Sequence, residues 1–305
     1  MSTRTAIVCL LALCCAAPAA AQAPFATELL SSAGPLTTQQ QAEVSAYTDG
    51  LARQFESASA QDTLAIRNGL QSLLKDPSAR VAFRRELGVA FIKSFEQFVG
   101  GADGTRAVNT FVMARMIATA ETVDFLLDHM DPDKVPSTAT RIAASSQLAK
   151  AIEASPLSAP QVDALGKRLV PVMSRETEWV VASHGVEALG SMINRPGLSV
   201  AQAEALASSM ASVINTMTDA VASGKRPELS NALQRALLVV RNQLSGVAAQ
   251  ARAKLLDSIA PSLKRLADFK DSVPEPIKAA GCGETFGAIV RTAGLLQKVR
   301  STGGA

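Results

Sequence analysis

His129 and His184 are the only imidazoles in the 305-residue chain, so acid–base chemistry near neutral pH has few places to start. His184 stands five residues after Trp179 and three before Glu187. On a helix, that imidazole and that carboxylate share a face and could hold a metal ion between them. Carboxylate-bridged di-metal bundles need more: a Glu three residues before a His on each of two helices, and glutamates from two others. Here the order is reversed and no second copy exists. A histidine on a helix surface or packed between elements needs only what is present, and that is the expectation for His184.

Glu121, Asp124 and Asp128 recur at i, i+3 and i+7, with His129 alongside. Oxygen donors on one helix face could attract a hard cation. A solvated helix carries the same stripe at little cost, and no loop of closely spaced alternating oxygens accompanies it. Cys282 lies in Ala279-Ala280-Gly281-Cys282-Gly283-Glu284, ahead of the last helical segment. A thiol at a helix start can be held as a thiolate, but catalysis would need a base that the sequence does not place beside it. An inert, mostly buried residue is expected there, with an intermolecular disulfide as the alternative. Ser183 and His184 are adjacent, so on a helix their side chains diverge. No phosphate-binding glycine loop, paired-cysteine metal site, His-Glu-x-x-His helix or nucleophile elbow occurs. No position stands out as catalytic, and no cofactor is implied.

Over the whole chain, 48% hydrophobic residues exclude a wholly disordered protein, and the length suffices for a sizeable core. Arg4, the apolar run Ala6 to Cys15 and the small residues Ala16 to Ala23 have the form of an export signal. Cleavage is expected after Ala21, because a cut after Ala23 would put Pro24 directly behind it. The 16 residues from Ala6 to Ala21 fall short of the roughly 20 that a membrane-crossing helix needs. Leu13 before Cys14 is too bulky for a lipid-modified cysteine. Processing would remove Cys9, Cys14 and Cys15 and leave Cys282 alone, so no internal disulfide would brace residues 22–305. With 30 basic against 27 acidic side chains and no basic cluster interleaved with aromatics, nucleic acid is not expected as a partner.

Helical spacing of apolar residues runs through nearly every segment, and no alternating run bounded by hairpin turns appears, which predicts an all-α fold. Val44, Tyr47, Leu51 and Phe55 form one stripe, Ile66, Leu70 and Leu73 another. Ser59 to Asp62 reads as a capping box. Phe83, Leu87, Phe91, Phe95 and Phe98 are the densest stripe. One long helix is expected from Thr105 to about His129, bent near Thr119. Pro171 and Pro261 should kink or divide their helices, and residues 270–283 should form an irregular connection to the last one. A subdivision of the single domain would fall at residues 131–136.

Leu157-Ser158-Ala159-Pro160-Gln161 is echoed 41 residues later by Leu198-Ser199-Val200-Ala201-Gln202, and Leu36-Thr37-Thr38-Gln39-Gln40 precedes both. That interval is the length of a helical hairpin in a two-helix solenoid. Good capping chemistry would also repeat wherever a helix starts. Two architectures therefore fit: an irregular helical bundle, or a short HEAT-like array of antiparallel helical hairpins.

The expected function is that of an exported, periplasmic or secreted helical protein with a non-enzymatic binding or structural role in the cell envelope. Its partner would be a protein, a peptide or an envelope component held in a helix-lined groove. A metal-binding or hydrolytic bundle would instead bring His184 and Glu187 against the Glu121 to Asp128 stripe. A carrier of an apolar ligand, or a membrane-active protein, would open an apolar cleft around Phe83 to Phe98 and Phe111 to Leu127. Lys93, Glu96, Arg115, Glu121 and Asp124 interrupt those segments, so a water-soluble core is expected there.

Overall fold

Polar side chains at the helix starts decide where most elements begin. Gln40, Gln161 and Gln202 accept from the backbone amides of Thr37 at 2.9 Å, Ser158 at 2.8 Å and Ser199 at 3.0 Å, satisfying donors that a helix terminus leaves orphaned. Asp62 does the same for Ser59 at 3.2 Å, and Thr122 for Thr119 at 3.0 Å. In the computed structural model, which describes residues 25–101, 103–243, 246–270 and 272–302, these caps open helices of an all-α fold with no strand among the described residues. The expected export signal and its cleavage site lie outside the described residues.

The helices are α1 (Thr27–Leu30), α2 (Thr38–Glu56), α3 (Ala60–Lys75), α4 (Val81–Phe95), α5 (Gly104–Ile117), α6 (Ala120–Asp128) and α7 (Thr138–Ala154). They continue with α8 (Ala159–Arg175), α9 (Trp179–Ile193), α10 (Val200–Ala222), α11 (Ser230–Gln243), α12 (Ala249–Ala267), α13 (Glu275–Ala279) and α14 (Gly283–Ser301). From α2 on, each long helix packs against its hairpin partner and against the corresponding helix of the next hairpin. The result is six stacked pairs in two layers: α2, α4, α6, α8, α10 and α12 in the first, α3, α5, α7, α9, α11 and α14 in the second. First-layer helices open at Thr38, Val81, Ala120, Ala159, Val200 and Ala249, in steps of 43, 39, 39, 41 and 49 residues.

Bonds between layer neighbours run in the same sense along both helices. Gln41 and Asp49 of α2 meet Glu86 and Ser94 of α4, and Ser145 and Glu153 of α7 meet His184 and Ser191 of α9. Helices within a layer are therefore parallel, and the short connections make each pair an antiparallel hairpin. The Leu-Ser/Thr-x-x-Gln echoes open α2, α8 and α10, all in the first layer, with Leu36 and Leu157 buried and Leu198 half-buried beneath the helix starts. Repeat and capping chemistry are thus one feature: the cap recurs because the same corner of the hairpin recurs.

Two expectations need correction. The long helix from Thr105 to His129 is two helices, because Ala118 takes a left-handed backbone (φ 52°) and Thr119 caps a new start. A left-handed alanine costs roughly 1–2 kcal/mol, and no glycine or proline announces the break. Of the two outcomes expected at Pro171 and Pro261, division is the one overturned: both residues are exposed and α8 and α12 run on through them. Within 270–283 the chain forms the short α13.

One buried apolar cluster runs from Phe25 to Leu296. Its front is aromatic: Phe91 stacks on Phe95 at 4.3 Å, Phe55 meets Phe98 at 5.0 Å, and Phe25 lies edge-on to Phe83 at 5.2 Å. At the rear, small residues permit close approach. A Cβ on Gly166 would lie 2.6 Å from a Leu206 methyl, and one on Gly185 would overlap the Met173 side chain.

Candidate functional site

The acidic stripe of α6 is matched by cations from the helices on either side. Arg85 of α4 donates to Glu121 at 2.8 Å, Arg168 of α8 pairs with both Asp124 and Asp128, and Lys134 reaches Asp128 at 2.6 Å. Partial burial pushes the Asp124 carboxyl up, while Arg168 pulls it back and Asp128 and Glu121 add to the rise. The stripe thus ties three first-layer helices together.

His184 and Glu187 belong to the second layer and turn to different neighbours. The His184 Nδ1 lies 3.0 Å from Ser145 Oγ of α7, and Glu187 pairs with Arg235 of α11. Ser145 Oγ is also 3.0 Å from the Ile142 carbonyl, so its single proton serves either that carbonyl or the ring. Burial pushes the His184 pKa down; Glu187 opposes the shift and Arg235 adds to it. The His129 Nδ1 lies 2.9 Å from the Phe125 carbonyl, and the ring packs on Phe111 and Phe125. Cys282 is half-buried at the start of α14, its Sγ 3.6 Å from the Ala280 carbonyl. Among the described residues, no three His, Cys, Asp or Glu side chains converge as a metal-binding group. Phe83, Phe91, Phe95 and Phe111 are buried in the core, packed on Phe25, each other or Phe125, rather than lining an opening.

Sequence reasoning missed the most buried ion pair. Arg141 of α7 grips Glu176, in the turn between α8 and α9, through Nε at 2.8 Å and Nη2 at 3.1 Å. The Glu176 side chain is fully buried and that of Arg141 only 6% exposed. Glu176 also accepts the amides of Thr177 and Glu178, both at 2.7 Å, and Arg141 donates to the carbonyls of Val135 and Pro136. From the following pair, Arg226 donates to the carbonyls of Glu176 and Thr177. Three consecutive hairpin turns are so locked together. The sequence pattern predicts a helix already under way from Arg175, whereas α9 starts at Trp179, and nothing local distinguishes Glu176.

The opposite edge, where first-layer helices start, carries a surface groove. Two hollows of about 510 and 290 Å³ adjoin, sharing Val81 and Arg85. The first lies between the Gly34-Pro35-Leu36 turn and α4; the second continues past Thr119 and Glu121 to Pro156 and Gln161. Val81, Arg85 and Val89 fall at i, i+4 and i+8, a stripe beside the buried phenylalanines. Val81 is 60% and Val89 45% exposed. Charges border these apolar pads: Arg85 with Glu121, Glu86 with Gln41 at 3.4 Å, and Arg84, held by the carbonyls of Ala79 and Leu74. Partial burial lowers the Arg84 pKa without threatening its charge.

Among the described residues no helix is long and apolar enough to cross a membrane. The groove spans four helix starts and combines exposed valines with charged borders. Compared with protein-family models, curated proteins and solved structures, the chain has no match.

Proposed function

We propose that this is an exported binding protein of the cell envelope, without catalytic activity, that takes a protein or peptide partner along the rim groove. The observation that carries this reading is the exposure of Val81 and Val89 on either side of Arg85 within a groove that crosses successive first-layer helices. A segment laid there would cover both valines, and removing their remaining exposed surface from water is worth on the order of 1 kcal/mol each. Arg84, Arg85, Glu86 and Glu121 would offer charged hydrogen bonds along its edges. The ion pairs that engage Glu121, Asp124, Asp128 and Glu187 favour a scaffold role for these residues over metal or acid–base chemistry. The signal-like start of the chain supports export.

The test is a photo-crosslinking residue introduced at Val81, at Val89 and, as a control, at the exposed Val108 of α5. Illumination of intact cells should give the same discrete adduct from the two groove positions and none from Val108, with Arg85→Glu abolishing it. Adducts of unrelated mass, or equal labelling at all three sites, would overturn the groove as the binding site. Recovery of the protein from the envelope or medium with a start after Ala21 would support export, and an intact Met1 in the cytoplasm would refute it.

A further inference from the structure

In a stack of hairpins an internal pair is covered on both sides and a terminal pair on one. Among the described residues the first pair leaves its outer side open: Tyr47, Leu51 and Gln54 of α2 with Asp62, Ala65 and Ile66 of α3 line a cleft of about 520 Å³. Of those residues, only the α2–α3 hairpin contributes to its lining. Helix periodicity puts Glu43 on the same face, one turn before Tyr47.

The last pair presents a different surface. Thr285 of α14 faces inward, 3.3 Å from Asn231 of α11. Away from that contact α14 carries Gly287, Arg291, Gly294 and Lys298, at the spacing of one helix face. Arg291 and Lys298 are exposed, and a Cβ on Gly294 would meet open space. Among the described residues, neither these two cations nor Glu43 has an ion-pair partner. The two ends differ in overall charge as well. Residues 25–75 hold five acidic and three basic side chains, and residues 249–302 hold nine basic and five acidic ones.

We propose that a second copy of the chain fills the open cleft, the α12–α14 end of one molecule stacking on the α2–α3 end of the next. The cleft lies where a preceding pair would stand if the array were longer. Glycines on α14 permit close backbone approach, and the basic end suits the acidic one. Like ends repel, so the contact is head to tail and does not close on itself.

Sedimentation of the protein as isolated from cells, across a concentration series, tests this. The average mass should climb past that of a dimer and fall back in high salt, where paired surface charges are screened. Leu51→Glu should block one end and Gly294→Trp the other, each giving monomers. Their equimolar mixture should form a 1:1 dimer that grows no further. Because Leu51 also touches the core, the exposed pair Glu43→Lys and Lys298→Glu provides a second test: each alone weakens association, and mixing restores it. A monomer at every concentration, a dimer that never extends, or mixtures that stay monomeric would each overturn the proposal.

Discussion

Eight of the ten phenylalanines lie between Phe25 and Phe125, and in the first three pairs their rings meet at 4.3 to 5.8 Å. From α8 onward the same hairpin geometry is closed by glycine and alanine against methionine and leucine, with Gly166 under Leu206 and Gly185 under Met173. Directional bonds cross both regions: at the rear Asn215 of α10 donates to the Ser258 carbonyl of α12 at 3.1 Å and accepts from Ser262 at 2.6 Å, and Asp219 meets Arg265 at 2.6 Å, as Ser94 of α4 meets Asp49 of α2 at 2.6 Å in front. The difference lies in what fills the space between the helices, rings in front and small residues against long flexible ones behind. One architecture is thus reached by two packing solutions, with the buried Arg141–Glu176 pair at their junction.

The largest effects should come from the front core and from that junction. Phe95→Ala should cost about 3–5 kcal/mol by leaving a cavity among rings, measured by urea unfolding. Arg141→Ala should cost a similar amount, about 3–5 kcal/mol, by stranding Glu176 in the core. The double change Arg141→Met with Glu176→Leu should recover most of that loss; if it does not, the pair is needed for more than charge balance.

Next in size is the rear interface. Gly185→Ala should cost about 1–3 kcal/mol through overpacking against Met173, and much less in a Met173→Ala background. Gly69→Ala on α3, where a Cβ meets open space, should instead stabilise by about 0.5–1 kcal/mol. Equal responses at the two glycines would mean that the Gly185–Met173 approach is slack rather than tight. Loss of a single cap is smaller: Ser199→Ala should cost about 1 kcal/mol, read as a lower thermal midpoint.

The smallest effect concerns pH. Burial depresses the His184 pKa below its ordinary value of 6.5, so the unfolded chain takes up that proton more readily than the folded one. The contribution of neutral His184 to stability is complete above about pH 6.5 and declines as the pH falls through that value toward the depressed one. His184→Gln should therefore flatten the stability profile between neutral and mildly acidic pH, and an unchanged slope would mean that the ring stays solvated.

The helical class, the Ser59–Asp62 cap and the Phe83 to Phe95 stripe were legible because each is written within four residues of itself. The first-layer echo was legible too, as Leu-Ser/Thr-x-x-Gln, although its place in a hairpin was not. What escaped depends on partners roughly 35 to 50 residues away, one hairpin's length. Arg168 gives no local sign that it will face Asp124 and Asp128, and Arg85 none that it will face Glu121 between two valine pads. The break at Ala118 was hidden for a different reason. Alanine is a strong helix former, and only the Thr119–Thr122 box marks the new start.

Among the described side-chain bonds, the widest in sequence, Thr285 to Asn231, closes only 54 residues. Each hairpin needs just its predecessor to dock upon, so a chain that emerges from its N-terminus during synthesis can gain order in the sequence in which it appears. Phe25, Phe55 and the α4 rings would seal the first unit while α14 was still to come. Folding of this kind is a vectorial zipper, with its fast local steps set by short contact distances and its growing edge always the newest pair.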